Sequence, residues 1–307
     1  MRPQDVMKTP GAHATFMVFG LLEGDEAAGK VKELCANFSA IARSMRTRMP
    51  HLEPSCLMGF GAGAWNRLFP DSPRELEVFQ EIKGEKHTAV STPGDLFFHI
   101  RAGRADICYE MASSICNALK DAVIPIDEVN GFRYFDGRAI VGFVDGTENP
   151  EDDERYNFAV IGDDDPDFKG GSYAFVQKYL HDMDAWNALT TEEQEKAIGR
   201  RKFTDNELSD EEKPENAHNA VTNISDADGN ELKIVRANMA FANPAKGEIG
   251  TYFIGYAGTF ATTRKMLENM FIGDPVGNTD RLLDFSTAVT GTLFFVPSQE
   301  LLEELGG

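Results

Sequence analysis

Asp145 stands at the foot of an apolar run, AIVGFV, in the stretch VDGTENP from Val144 to Pro150. An Asp-Gly pair there is ordinarily a turn, because Gly accepts positive φ and Asp bonds its own backbone two residues on. A carboxylate beside apolar residues is also a candidate proton carrier, its affinity for the proton set by its surroundings. A second candidate group lies in ELKIVRANMAF, Glu231 to Phe241, which reads as one strand entered through the Asp-Gly turn of SDADGN. Strand alternation sends Val235, Ala237, Met239 and Phe241 to one side and Arg236 and Asn238 together to the other. An arginine amid so much apolar sequence is costly to bury alone, so a bound carboxylate or a protein Asp or Glu is expected opposite it.

The six histidines, His13, His51, His87, His99, His181 and His218, form no i, i+4 pair and no HExxH signature, so a multi-histidine metal site is not expected. A cofactor held by a single axial imidazole, haem being the example, needs only one. His218, in the polar stretch EEKPENAHNAV just upstream of the Arg236 strand, is the best placed.

These groups need a scaffold, and the chain carries an internal echo. GDLFFHIRAGRADICYEMASSICNAL (94–119) reads as strand, polar break and amphipathic helix, and GTYFIGYAGTFATTRKMLENMF (250–271) repeats the pattern at similar length. ATFMVFGLL near the start is echoed by SYAFVQKYL (172–180). Val31, Leu34, Phe38, Ile41, Ala42 and Met45 mark a helix with one apolar stripe. The pattern predicts an α+β fold of two duplicated ferredoxin-like units, each an antiparallel sheet with helices on one face and a cleft between the two. The division is expected near Pro150, giving units 1–150 and 151–307, because ENPEDDERYN and GDDDPDFKGG are acidic and aperiodic. The Gly-rich segment from Gly59 to Trp65 lacks the Lys and Ser/Thr of a phosphate loop and is expected to be a structural turn.

Composition narrows the function. The 307 residues suffice for two cores, and 50 acidic against 30 basic side chains give a formal charge of −20, which argues against nucleic acid and anionic membranes as partners. No stretch approaches a membrane span of about 18 apolar residues, and no signal-peptide pattern is visible. Cys35, Cys56, Cys108 and Cys116 form no CxxC pair and read as reduced cysteines of a cytoplasmic protein.

Gly142, Phe143, Val144, Asp145 and Gly146 meet a GxxDG motif, followed by His218 in ENAHNAV and by the strand with Arg236 and Asn238. The set resembles that of the dye-decolourising peroxidases, haem enzymes built from two ferredoxin-like units, and the likeness covers nearly the whole chain. It implies one haem b per chain in the cleft, with His218 as axial ligand to the iron and a carboxylate, taken as Asp280 in GDPVGNTDRLLDF, accepting from the far side of the His218 ring. By the same resemblance Asp145 and Arg236 stand on the open face. Asp145 would move the peroxide proton, and Arg236 would stabilise the departing oxygen and hold a propionate. Asn238 would hold a water, and the backbone of Gly146, Thr147 and Glu148 would approach the porphyrin edge.

The implied activity is reduction of hydrogen peroxide through a ferryl intermediate, with oxidation of dye-like or phenolic one-electron donors. The likeness is to the cytosolic bacterial branch, whose members commonly form homo-oligomers. Packaging in a protein shell is not expected, because the chain ends at LLEELGG without the tail that directs some relatives there. Trp65, Trp186, Tyr109, Tyr252 and Tyr256 are available as electron relays, none singled out. The alternatives are a non-catalytic haem-binding or iron-extracting protein, for which a distal Asp and Arg would be unnecessary, and a cofactor-free interaction module.

Overall fold

Strand and helix alternate twice along the chain, whose computed structural model describes residues 1–307. The first unit runs β1 (His13–Leu21), α1 (Asp25–Arg48), β2 (Ser55–Phe60), α2 (Ala62–Leu68), the short hairpin of β3 (Ile82–Lys83) and β4 (Thr88–Ala89), β5 (Leu96–Ala102), α3 (Ala105–Ala118) and β6 (Val123–Phe132). After α4 (Arg155–Ala159) the second unit runs β7 (Ser172–His181), α5 (Met183–Ala188), α6 (Thr191–Ile198), α7 (His218–Thr222) and a hairpin of β8 (Ile224–Ser225) and β9 (Glu231–Leu232). It continues through β10 (Val235–Arg236), β11 (Met239–Asn243), β12 (Glu248–Ala257), α8 (Phe260–Phe271), β13 (Ser286–Ala288) and β14 (Thr292–Val296) to α9 (Gln299–Leu305).

The first sheet is ordered β6-β1-β5-β2 and the second β14-β7-β12-β11, all antiparallel. Numbered by appearance, the main strands of each unit follow the same ferredoxin-like order, so the expected duplication is the architecture found. The sequence echoes fall on equivalent elements: β1 and β7 are the first strands, while β5 with α3 matches β12 with α8.

The two sheets join edge to edge, Ala240 pairing with Phe132 and Phe295 with Phe60, so the ladder closes on itself and these strands leave no free edge. Alternation then divides every strand. On β1, Ala14, Phe16 and Val18 face the interior shared by both sheets, while Met17, Phe19 and Leu21 face the helical layer. Helix α1 covers the outside with Val31, Leu34, Phe38 and Ala42, and its Asp25, Glu26, Arg46 and Arg48 complement the helix dipole. The interior is filled by side chains such as Phe16, Phe97, Tyr252 and Phe294, with Phe97 and Phe294 stacked at 5.0 Å. Closure packs the two inner faces against each other, so the cleft expected between the units opens outside the ring of strands, where the chain after β6 meets the second sheet.

The Gly59 to Trp65 segment is also not a simple turn: it ends β2 and starts α2. Gly61 is required between them, since a Cβ there would lie 2.0 Å from the carbonyl oxygen of Gly94.

Two imidazoles are kept uncharged, His99 fully buried and His181 partly buried. His99, on the inner face of β5, has its pKa pushed well below the usual 6.5 by burial and then by the Arg101 guanidinium, and burial lowers that of His181, at the end of β7, to about 4. The unfolded chain takes up these protons near pH 6.5 and the folded chain does not, so stability falls as pH drops below 6.5 and is untouched above it. The urea midpoint of the cofactor-free protein is expected to be flat above about pH 7 and to fall toward pH 4, His181 contributing up to about 3 kcal/mol. His181→Gln should shallow that fall, and an unchanged slope would contradict the assignment.

Packing gives a second expectation. Phe98, fully buried against Phe19 and Phe38, should cost about 3–5 kcal/mol on replacement by Ala, whereas Phe203→Ala, at a residue 77% exposed, should stay within about 0.5 kcal/mol in the same denaturation experiment.

Candidate active site

A cavity with about 1500 Å³ of empty space, open mouth included, lies on the outer face of the second sheet. Tyr179 and His181 of β7 and Thr251 and Phe253 of β12 form its floor, and α7 and α8 flank it. The chain from Ala139 to Glu148, which follows the last strand of the first sheet, supplies much of the remaining wall. All the site residues expected from the sequence except Asp280 line this cavity: Asp145, Gly146, Thr147, Glu148, His218, Arg236 and Asn238.

On one side, α7 presents His218 at its first position. His218 Nδ1 lies 2.7 Å from Oδ2 of Asp280, a residue with no solvent exposure, across 62 residues of sequence. A carboxylate oxygen accepts, so Nδ1 donates to Asp280, and Nε2 has no hydrogen-bond partner in the protein. The second Asp280 oxygen accepts the backbone N–H of Leu282 at 2.8 Å, capping the 3₁₀ turn Arg281–Asp284. The buried charge is thus hydrogen-bonded at both oxygens, which offsets its desolvation. Helix α7 is fixed from behind by Asn219, whose Nδ2 donates to Glu207 at 3.0 Å, and by Asn269, which donates to the Val221 carbonyl. Gly199, in the left-handed region at φ 92, admits this packing, because a Cβ there would fall 1.7 Å from Asn219 Oδ1.

His181 also lines the cavity, and the sequence reading did not select it. Both of its ring nitrogens are engaged, Nδ1 with Ser286 Oγ at 2.8 Å and Nε2 with Thr251 Oγ1 at 2.9 Å. Its uncharged state and saturated hydrogen bonds make it a floor residue, whereas His218 keeps one nitrogen open.

On the other side, alternation from Val235 to Phe241 holds as expected: Val235, Ala237, Met239 and Phe241 enter the inter-sheet core, and Arg236 and Asn238 face the cavity. The single strand expected over Glu231 to Phe241 is broken into β9, β10 and β11. Between β10 and β11 the side chain of Asn238 takes a backbone role, its Oδ1 accepting the N–H of Ile254 at 3.2 Å. Its Nδ2 donates to Asp145 Oδ1 at 3.3 Å. The amide is therefore oriented by β12 and in turn holds the Asp145 carboxylate, with a second Nδ2 hydrogen left for a further acceptor.

The apolar run before Asp145 is not a strand. It makes only isolated bridges, Tyr134 with Arg138 and Arg138 with Val144, and turns at Gly142 (φ 97) and Gly146 (φ 84). Arg138 braces the loop, donating to the carbonyls of Gly142 at 2.9 Å and Lys202 at 2.7 Å. Asn149, within the quoted motif but not chosen, ties the loop to the Arg236 strand: its Oδ1 accepts Arg236 N–H at 2.8 Å and its Nδ2 donates to the Arg236 carbonyl at 2.9 Å. Thr147 donates to Asp205 at 2.9 Å, and Arg200 bridges Glu148 at 2.6 Å and Asp205 at 3.1 Å.

The protein carboxylate that was one expectation for Arg236 is absent. Its backbone is anchored, yet its guanidinium makes no ion pair with any Asp or Glu. The cavity thus presents an imidazole lone pair, an unpaired guanidinium, and an apolar lining that includes Ile198, Ile234, Met266, Met270 and Leu283. That donor set fits a flat, largely apolar metallo-macrocycle carrying acidic side groups, which is to say haem.

Family models support the same reading. The Dyp-type peroxidase N-terminal model matches residues 4–133 and the C-terminal model residues 136–301. A curated dye-decolorizing peroxidase of Rhodococcus erythropolis is 50% identical over 98% of this chain and 88% of its own length. A crystal structure of a dye-decolorizing peroxidase from Bacteroides thetaiotaomicron superposes with a TM-score of 0.97 at 67% identity, covering 100% of this chain and 99% of that one. A variant of DypB from Rhodococcus jostii RHA1, solved in complex with heme, superposes at 0.97 with 49% identity and 99% coverage of both chains. With both halves matched in order and the fold shared throughout, the chain belongs to the Dyp-type peroxidase family.

Proposed function

We propose that this chain is a haem peroxidase in which His218 would hold the haem iron, Asp145 and Arg236 would act on hydrogen peroxide, and small aromatic compounds would serve as electron donors. The observation that carries the reading is one cavity holding an imidazole with Nδ1 bound to a buried carboxylate and Nε2 free, together with the Asp145–Asn238 pair and an unpaired Arg236. The heme complex of the Rhodococcus jostii relative supports it. A carrier would have no use for the Asp145 and Arg236 pair.

When bound, haem b supplies the iron that receives peroxide and stores its oxidising equivalents. His218 would hold that iron through Nε2, and Asp280, by accepting from Nδ1, would fix the ring and make it a stronger donor. Asp145 would take a proton from incoming peroxide and pass it to the oxygen that departs as water. Asn238 positions that carboxylate, and the Arg236 guanidinium would stabilise negative charge on the departing oxygen or pair with a propionate. Gly146, Thr147 and Glu148 would border the cofactor. We assign the chain to the cytoplasm as a homo-oligomer. Its four free cysteines, with burial pushing Cys35, Cys56 and Cys108 up to about 12, support a reducing compartment, and no helix is long and apolar enough to cross a membrane.

Absorption spectra of the haem-reconstituted protein before and after peroxide test the reading. His218→Ala should abolish the Soret band, and Asp280→Asn should weaken haem retention or activity by about 10–100-fold. Asp145→Ala and Arg236→Leu should keep the band and slow the peroxide-driven change by about 10²–10⁴-fold. A His218→Ala protein with an unaltered Soret band would overturn the assignment.

The loop tie provides a separate check. Asn149→Ala, which leaves two backbone groups of Arg236 unpaired, is expected to lower unfolding free energy by about 1–3 kcal/mol and to slow peroxide reaction without eliminating haem uptake.

A further inference from the structure

Two stretches of chain join the wall that carries His218 to the wall that carries Asp145 and Arg236, and they are held in different ways. Residues 199–207 are hydrogen-bonded to both walls: Arg200 meets Glu148 at 2.6 Å, Asp205 accepts from Thr147 at 2.9 Å, and Glu207 accepts from Asn219 at 3.0 Å. Residues 224–233 run from α7 toward β10 as the β8–β9 hairpin and bring Glu231, Leu232 and Lys233 to the cavity lining. The two strands pair only with each other, Ile224 with Leu232 and Ser225 with Glu231, in a sheet separate from the closed ladder. The turn is closed from inside, Asp226 Oδ1 accepting the N–H groups of Asp228 at 2.9 Å and Asn230 at 2.8 Å. Every side-chain hydrogen bond and ion pair of this segment stays within it.

Packing is equally sparse. Ser225 to Glu231 are exposed, and Ile224, though buried, belongs to none of the three apolar cores. A two-stranded hairpin of this size is marginal in water by itself. Its two ends, in contrast, are fixed. The Val221 carbonyl accepts from Asn269 at 3.2 Å on one side. On the other, Ile234 rests over Gly255 of β12, where a Cβ would lie 2.8 Å from its Cδ1, and the Arg236 backbone is held twice by Asn149. A weakly held segment therefore spans two anchored points at the edge of the cavity.

We infer, on the haem reading above, that the β8–β9 hairpin is a flap that closes on bound haem and opens to let it in and out, while the edge along residues 199–207 stays shut. A flat apolar ring in the cavity adds the hydrophobic contact that Leu232 and its cross-strand partner Ile224 draw from no core. Binding then orders the hairpin, and the part of the population in which it is open sets how readily haem enters and leaves. Opening needs no movement of α7 or of the Arg236 strand, because the fixed ends lie at Val221 and Ile234.

Hydrogen–deuterium exchange of the full chain with and without haem, read by mass spectrometry, is the test. Amides of residues 224–233 are expected to exchange at least about 10-fold faster in the cofactor-free chain than in the haem-loaded one, and those of 199–207 to change by less than about 3-fold. Equal protection of 224–233 in both forms, or loosening just as great in 199–207, overturns the inference while leaving the haem reading intact. A chain that takes up no haem overturns both. Haem release gives an independent measure. Asp226→Ala unties the turn at an exposed residue that does not line the cavity, and should speed transfer of haem to excess apomyoglobin by about 3–10-fold, with the Soret band and the peroxide reaction of the loaded protein unchanged. Asp205→Ala, which unties the other stretch, should speed it less. An unaltered rate in Asp226→Ala, or a larger increase in Asp205→Ala, overturns the inference.

Discussion

Each sheet in this protein has two faces, and closure of the ladder commits one of them to the shared interior. Because Ala240 meets Phe132 and Phe295 meets Phe60, the inner faces pack against each other into an apolar core. Function must then be placed on an outer face. That of the first sheet is covered by α1 and α3, whereas the second has α8 and a set of short helices and loops. The cavity opens among those short helices and loops, and the outward positions of β7 and β12 become its floor.

That location sets the electrostatic problem. The group that anchors the site, Asp280, is fully buried, and its charge is held by one backbone N–H and one imidazole. Removing either partner would leave an uncompensated charge in a region of low dielectric, so the turn at Leu282, the helix with His218 and the orientation of the imidazole are mutually dependent. On the opposite wall the same economy uses amides. Asn238 replaces a strand hydrogen bond and simultaneously holds Asp145, and Asn149 gives the Arg236 segment the donor and acceptor that a neighbouring strand would otherwise provide. Two neutral side chains thereby hold the ionisable pair, and the Arg236 guanidinium stays free for an anion.

Much of this was written along the chain. The repeated strand and helix patterns specified the duplicated α+β unit, since period 2 and period 3.6 are local properties that survive any tertiary arrangement. Alternation through Val235 to Phe241 placed Arg236 and Asn238 on one face even though the strand proved broken, because side-chain direction depends on backbone extension more than on an unbroken ladder. The motif around Asp145, and His218 upstream of Arg236, identified the residues that meet in the cavity. The Asp280 contact came from resemblance and not from spacing, for nothing in a separation of 62 residues encodes a distance.

Only the tertiary structure decided where these residues meet. Closure of the two sheets depends on single bridges between residues far apart in sequence, and it put the cleft on an outer face by packing the inner ones together. The run AIVGFV is apolar enough for a strand, yet Gly142 and the Arg138 brace bend it into a loop that no propensity would select. His181 and His218 are alike as letters. Their difference lies in which ring nitrogens are already bonded, which is a matter of three-dimensional neighbours. The sequence by itself determined which chemical groups the protein owns and which face of each element they occupy; the fold decided which of them are left with a free valence toward the cavity, because hydrogen-bond saturation is a property of the assembled neighbourhood and not of the residue.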